Sequence, residues 1–95
     1  MPTPLTNTEK QALRAELPDW DLDGETISRT FVFADFTAAI GFVVRVAFAA
    51  EAVDHHPDID IRWNKVALGL TTHSAGALTE LDHTLAAAID RLADD

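Results

Sequence analysis

Asp58-Ile59-Asp60-Ile61-Arg62-Trp63-Asn64-Lys65-Val66-Ala67-Leu68-Gly69-Leu70 places an apolar residue at every second position on both sides of Asn64-Lys65. Alternation of this kind belongs to a strand with one buried face. It predicts strands over residues 58–63 and 66–73, joined by a tight loop at Asn64-Lys65. With that loop, Trp63 faces Val66, Ile61 faces Leu68 and Ile59 faces Leu70, all on one side. A slip by one residue would bury Asp58, Asp60 and Arg62 instead, which is costly without partners. The same register sets His56 opposite His73.

A second hairpin lies upstream. Residues 20–22 and 26–33 read as strands around Asp23-Gly24, a dipeptide suited to the positive φ of a type I′ turn. Ile27, Arg29, Phe31 and Phe33 share one face, on which Arg29 is the exception. Helices flank the hairpins. Residues 6–17 open with the capping box Thr6-Asn7-Thr8-Glu9 and stop at Pro18. Asp35 is an N-cap for a long helix to Val53, with Phe36, Ala39, Ile40, Val43, Val46, Ala47, Ala50 and Val53 as its stripe. Phe42, Val44 and Phe48 fall outside the stripe and are assigned to a subunit interface. Residues 79–92 form the last helix, begun by Thr79-Glu80-Leu81-Asp82, and Asp94-Asp95 is expected to fray. The order α-β-β-α-β-β-α, with both strand pairs antiparallel, predicts an α+β domain: a four-stranded antiparallel sheet with helices packed on one face.

The chain has 95 residues, the size of one domain spanning 1–95. Its net charge is −9, from sixteen acidic and seven basic residues. That balance disfavours nucleic acid and anionic membranes as partners. Arg45 and Glu51 interrupt the longest apolar stretch, so no membrane-spanning segment is expected. The first residues lack the basic and apolar regions of a secretory signal, and there is no cysteine for a disulfide, a thiolate nucleophile or a Cys metal site. A cytoplasmic protein is expected.

Chemistry concentrates at Glu51-Ala52-Val53-Asp54-His55-His56-Pro57-Asp58 and at Thr71-Thr72-His73. Pro57 holds His56 extended, so His55 and His56 point to opposite sides of the chain. Imidazole both gives and takes protons near neutrality, as a reaction moving one proton off a substrate and another onto a leaving group requires. The plainer alternative has His55 capping helix carbonyls and His56 in a turn. Glu51, His55, His56 and His73 also have the right donor types for a metal, but their spacing matches no standard signature, and no metal is expected. Asp82 is useful as a capping carboxylate without any catalytic part. His83 is expected to be exposed.

Glu51-x3-His55-His56-Pro57-Asp58, Asn64-x-Val66, Thr71-Thr72-His73, Leu78-Thr79 and Asp82 together resemble the pterin-4a-carbinolamine dehydratase family, over about residues 5–92. The resemblance implies the same fold order and dehydration of 4a-hydroxytetrahydropterin to quinonoid dihydropterin, which recycles the pterin used by aromatic amino-acid hydroxylases. It implies no cofactor or metal, a small-molecule pterin substrate, and a homodimer or homotetramer. His55 and His73 would protonate the departing hydroxyl. His56 would bind the pterin and help take a proton from ring nitrogen. Glu51, Asp54 and Asp82 would orient the histidines, Pro57 shapes the corner, and Thr72 with nearby backbone would hold the pterin. Ile59, Ala77 and Leu81 depart from the family pattern, where Trp, Gly and a basic residue occur. Ile59 is expected to alter a pocket wall. Two other readings are a protein-binding or regulatory member with a vestigial site, and a dehydratase acting in molybdopterin metabolism.

Overall fold

The structure is a computed structural model that describes residues 2–94; Met1 and Asp95 lie outside the described residues. The elements are α1 (Asn7–Glu16), β1 (Asp21–Asp23), β2 (Thr26–Val32), α2 (Phe36–Val53), β3 (Asp58–Arg62), β4 (Lys65–Leu70), a 3-10 turn (His73–Ala75) and α3 (Glu80–Asp94). The strands form one antiparallel sheet in the order β1-β2-β4-β3. The expected α+β architecture is therefore present. The starts of α1 and α2 follow their local sequence: Thr6 and Glu9 complete a reciprocal capping box, and the Asp35 carboxylate accepts from the Ala38 amide.

Both tight loops sit one residue away from the expected place. In the first hairpin Asp23 pairs with Thr26, so the loop is Gly24-Glu25, with Gly24 at φ +60°. In the second, Arg62 pairs with Lys65, so the loop is Trp63-Asn64. Ile61 consequently faces Val66 and Ile59 faces Leu68, two residues away from the expected register. A shift of two preserves the faces, which is why the alternation alone did not resolve it. The deciding contacts are tertiary. Asn64 is buried, its Nδ2 donates to the Phe33 carbonyl at 2.8 Å, and its own carbonyl accepts from the Phe33 amide at 2.9 Å. Trp63 is left exposed in the left-handed region at φ +52°.

The core lies between the helices and one face of the sheet. Ile27 and Phe31 of β2 and Val66, Leu68 and Leu70 of β4 are buried there, while Ser28, Thr30 and Val32 on the opposite face are exposed. Edge strand β3 is less covered, and Ile59 is 41 % exposed. Arg29 belongs to the buried face through a specific set of partners. Its Nη1 and the Trp20 indole N–H both donate to Asp90 Oδ1 at 2.8 Å, and its guanidinium lies 4.2 Å from the Phe31 ring centroid. His83 is half-buried and pairs with Glu16 at 2.6 Å, tying α3 to α1, rather than exposed as expected.

The long helix departs most from expectation. Ala39, Phe42, Val46 and Ala50 form its buried row, so Phe42 is a core residue and not an interface residue. Phe36 and Val53 of the expected stripe are exposed, as are Val44 and Phe48. With eighteen residues and a mean hydropathy of 1.7, α2 also has the length and composition of a membrane-crossing helix, which the interruption by Arg45 and Glu51 was expected to preclude. Its buried row packs against α3 and β4 in the core.

Glu25, in the first tight loop, fastens three segments. Its carboxylate accepts from Lys10 Nζ and from the Leu78 amide, and its carbonyl accepts from Thr71 Oγ1. The Lys10 hydrogen bond, then the Leu78 amide, lower its pKa below the ordinary value of 4.5. A depressed carboxylate pKa gives stability that is present above the unfolded value and lost as pH falls through the folded one. Acid titration of the denaturant midpoint should therefore show a loss beginning near pH 4.5 and continuing below it, and Glu25→Gln should remove that part of the dependence. An unchanged acid limb in the variant would contradict the anchor.

Candidate active site

The site begins where α2 ends. The Asp54 amide donates to the Glu51 carbonyl at 3.3 Å, and the His55 amide reaches back to the Ala50 carbonyl at 3.1 Å. These bonds define a Schellman termination, which needs a left-handed residue and usually employs glycine. Asp54 occupies that position at φ 50° and ψ 45°. For a residue with a Cβ this costs about 1 kcal/mol or more. The reversal turns His55 inward, where it is 8 % exposed, while the next residue, His56, remains exposed.

Asp82, at the start of α3, is fully buried beneath His55. Its Oδ1 lies 2.6 Å from His55 Nε2. Its Oδ2 accepts from Thr72 Oγ1 at 2.8 Å and from the Thr79 amide at 2.9 Å. Thr72 and Thr79 hydroxyl oxygens are 2.7 Å apart, and Thr79 Oγ1 accepts from the Leu81 amide at 3.2 Å. The donor directions follow from chemistry. A carboxylate only accepts, so Thr72 donates to Asp82, and Thr79 in turn donates to Thr72. His55 must present its Nε2–H to Asp82, which leaves Nδ1 as the nitrogen available for proton exchange. The capping use of Asp82 and its use in orienting a histidine therefore hold together, one on each oxygen.

His56 Nε2 lies 2.5 Å from Glu51 Oε2, an exposed pair bridging the helix end. His73 opens the 3-10 turn that follows β4. The expected alignment of His56 opposite His73 does not occur, since β3–β4 pairing ends at Asp58–Gly69. The histidines meet by another route. After β4 the chain is closed by a Thr72–Ala77 bridge, and His55, His56 and His73 line one open cleft of about 250 Å³ with Asp54, Thr71, Thr72, Ser74 and Leu81.

Other expected residues are placed differently. Glu51 and Asp82 stand behind His56 and His55. Pro57 is half-buried at the corner and outside the cleft lining. Thr72 borders the cleft, and its hydroxyl is hydrogen-bonded to Asp82 and Thr79. Ile59 does not wall the cleft; it lies on edge strand β3. Thr79, Ser74 and Leu81 were not singled out as site residues. Thr79 carried a signal in its place at the head of a capping sequence and Leu81 in its departure from the expected pattern, whereas Ser74 carried none. His55 Nε2 and His56 Nε2 each pair with a carboxylate, which leaves the Nδ1 atom of each ring outside those contacts.

Three imidazoles thus line one cleft of the α+β domain, two of them paired with carboxylates. The family model for pterin 4 alpha carbinolamine dehydratase matches residues 3–92. A Chloroflexus aurantiacus protein bearing that family name is 58 % identical over 88 residues, covering 93 % of this chain and 95 % of its own. The crystal structure of a transcriptional coactivator/pterin dehydratase from Brucella melitensis superposes with a TM-score of 0.91 at 38 % identity, covering 96 % of this chain and 99 % of the other. The chain belongs to the pterin-4a-carbinolamine dehydratase family, a family of hydro-lyases. A pterin dehydratase-like protein described as a RuBisCO assembly factor in the alpha-carboxysome shares the fold, with a TM-score of 0.64 at 23 % identity over 78 % of this chain and 86 % of the other.

Proposed function

We propose that the protein dehydrates 4a-hydroxytetrahydropterin to quinonoid dihydropterin and water, and so recycles a pterin cofactor. The observation that carries this reading is the meeting of His55, His56 and His73 on one cleft, with His55 locked by buried Asp82. In the reaction the C4a–oxygen bond breaks with its electron pair on oxygen. A proton from imidazole converts the leaving hydroxyl to water, and a ring nitrogen loses a proton to a second imidazole. His55, acting at Nδ1, and His73 serve as acids. His56, held by Glu51, binds the pterin and takes the nitrogen proton. Asp54 and Pro57 hold the corner that separates the two adjacent rings, and Thr72 supports Asp82 while the backbone beside it meets the pterin.

The direct test supplies freshly generated 4a-hydroxytetrahydropterin and follows quinonoid dihydropterin; a rate equal to buffer would end the proposal. His56→Ala is expected to lower kcat/KM by roughly 10²–10⁴-fold with an unchanged circular dichroism spectrum. Full activity in that variant would remove His56 from the mechanism. Chelator treatment is expected to leave turnover unchanged.

We read residues 1–95 as one dehydratase-like domain acting in the cytoplasm as a homodimer or homotetramer. Support for self-association comes from α2, where Phe48 is 75 % exposed and Val44 and Phe36 about half so. Surfaces of this kind on a small protein mark contacts between chains. Sedimentation should give a species larger than the monomer, and Phe48→Asp should shift it toward monomer. A wild-type protein that sediments only as monomer contradicts the assignment.

A further inference from the structure

We propose that Glu25, which is not part of the cleft lining, is a positioning residue for His73: it holds both ends of the loop that carries this imidazole and so sets where the ring stands against substrate. The proposal rests on the dehydratase reading for what His73 does there and adds the residue that places it.

The β2–β4 ladder ends at the Ile27–Leu70 pair. Beyond it the chain forms a small loop, closed by two backbone bonds between Thr72 and Ala77 at 3.1 and 3.4 Å. Inside the loop the Ala75 amide donates to the Thr72 carbonyl at 3.0 Å and the Gly76 amide to the His73 carbonyl at 3.1 Å, with Gly76 at φ +63°. These bonds are local. They fix the shape of the loop, whereas its place on the domain is decided by whatever grips its two ends.

One residue grips both. On the incoming side the Glu25 carbonyl accepts from Thr71 Oγ1 at 2.6 Å. On the outgoing side Glu25 Oε1 accepts from the Leu78 amide at 3.0 Å, while Lys10 Nζ pairs with Oε2. Leu78 is fully buried, and its carbonyl accepts from the Leu5 amide at 2.8 Å. A buried amide deprived of its acceptor either stays unpaired at a cost or draws the backbone toward another partner. Loss of the Glu25 carboxylate therefore acts on the chain at Leu78 and, through the Thr72–Ala77 closure, on His73. His55 and His56 are held at their rings by carboxylates. His73 is placed through its backbone, and that backbone answers to Glu25. The Lys10 pairing joins α1 to the same carboxylate, so it contributes to stability without bearing on the loop directly.

The test compares Glu25→Ala with Lys10→Met, which removes the ion pair and keeps the hold on Leu78. Turnover of 4a-hydroxytetrahydropterin gives kcat and KM, urea denaturation gives stability, and the proton–carbon NMR signal of the His73 ring reports its surroundings. A misplaced acid slows the chemical step more than it weakens binding, so Glu25→Ala should lower kcat by about tenfold or more with KM within about threefold. The His73 signal should shift or broaden in that variant, while the Trp20 indole N–H, bonded to Asp90, keeps its own. Lys10→Met should lose stability and keep kcat within about twofold of wild type. Glu25→Gln, with one acceptor oxygen for two donors, should fall between them in kcat, and it carries the comparison if the alanine variant does not fold. A wild-type kcat in Glu25→Ala, an equal loss of kcat in Lys10→Met, or a fall in kcat with an unmoved His73 signal overturns the proposal. Movement of the His73 signal in Glu25→Ala, where the wild type turns nothing over, defeats the dehydratase reading and leaves the placement of His73 standing.

Discussion

Asp82→Asn is expected to lower kcat by roughly 10²–10³-fold while leaving a folded protein. The carboxylate accepts three hydrogen bonds from a position with no solvent access. An amide of the same shape has only one acceptor oxygen. If that oxygen faces Thr72 Oγ1 and the Thr79 amide, the new NH₂ group meets the Nε2–H of the imidazolium donor to donor, and the ring that must give up a proton at Nδ1 loses the carboxylate that stabilises its charged form. If the amide turns over, its NH₂ group meets the Thr79 amide donor to donor and the start of α3 loses its cap. Asp82→Ala removes every partner at once and should cost about 3–5 kcal/mol. Steady-state kinetics and urea denaturation on both variants separate the two parts. An asparagine variant with unchanged kcat and reduced stability would reduce Asp82 to a helix cap.

Phe42→Ala should cost about 3–5 kcal/mol, a large share of the 5–15 kcal/mol available to an ordinary domain. Phe42 is fully buried, with its ring centroid 4.9 Å from that of Phe31 and 4.8 Å from that of Phe33. Phe31 in turn meets Trp20 edge-on at 6.2 Å. This row of rings joins α2 to β2 and to the segment after α1, so a cavity at its middle has rigid walls that do not collapse inward. Phe42→Leu should lose much less. Chemical denaturation measures the difference. If Phe42→Ala kept wild-type stability and changed only the sedimentation coefficient, the side chain would belong to a contact between chains and not to the core.

Caps and strand faces were legible in the sequence because they are local. The Thr6–Glu9 box, the Asp35 cap and the alternation in β2 and β4 depend on residues a few positions apart. The second loop was not legible, because its position is decided by Asn64 gripping Phe33 from thirty-one residues away in the chain. The role of Phe42 was hidden for a different reason. A helix apolar around most of its circumference does not reveal which row is inside, and Ala39, Phe42, Val46 and Ala50 were one of several rows with helical spacing. At the site, the histidines stood out by type and clustering. Asp82 was named on both counts, as a cap and as an orienting carboxylate, but not the division of its two oxygens between those tasks. The commitment of the Thr72 hydroxyl and the part played by Thr79 depend on three segments closing around one buried carboxylate, and no spacing encodes that.

The strand order has a kinetic consequence. Each hairpin is local, yet β2 and β4, the two inner strands, are joined only through α2 and β3. Zipping Val32 against Lys65 and Ile27 against Leu70 requires closure of a long crossover, the entropically slow event in assembling such a sheet. All the chemistry named above lies between Glu51 and Asp82, on the later side of that seam. The earlier side, α1 with β1 and β2, contributes nothing to the cleft lining. The register that joins β2 to β4 therefore ties the half that carries the histidines to a half that lies outside the cleft.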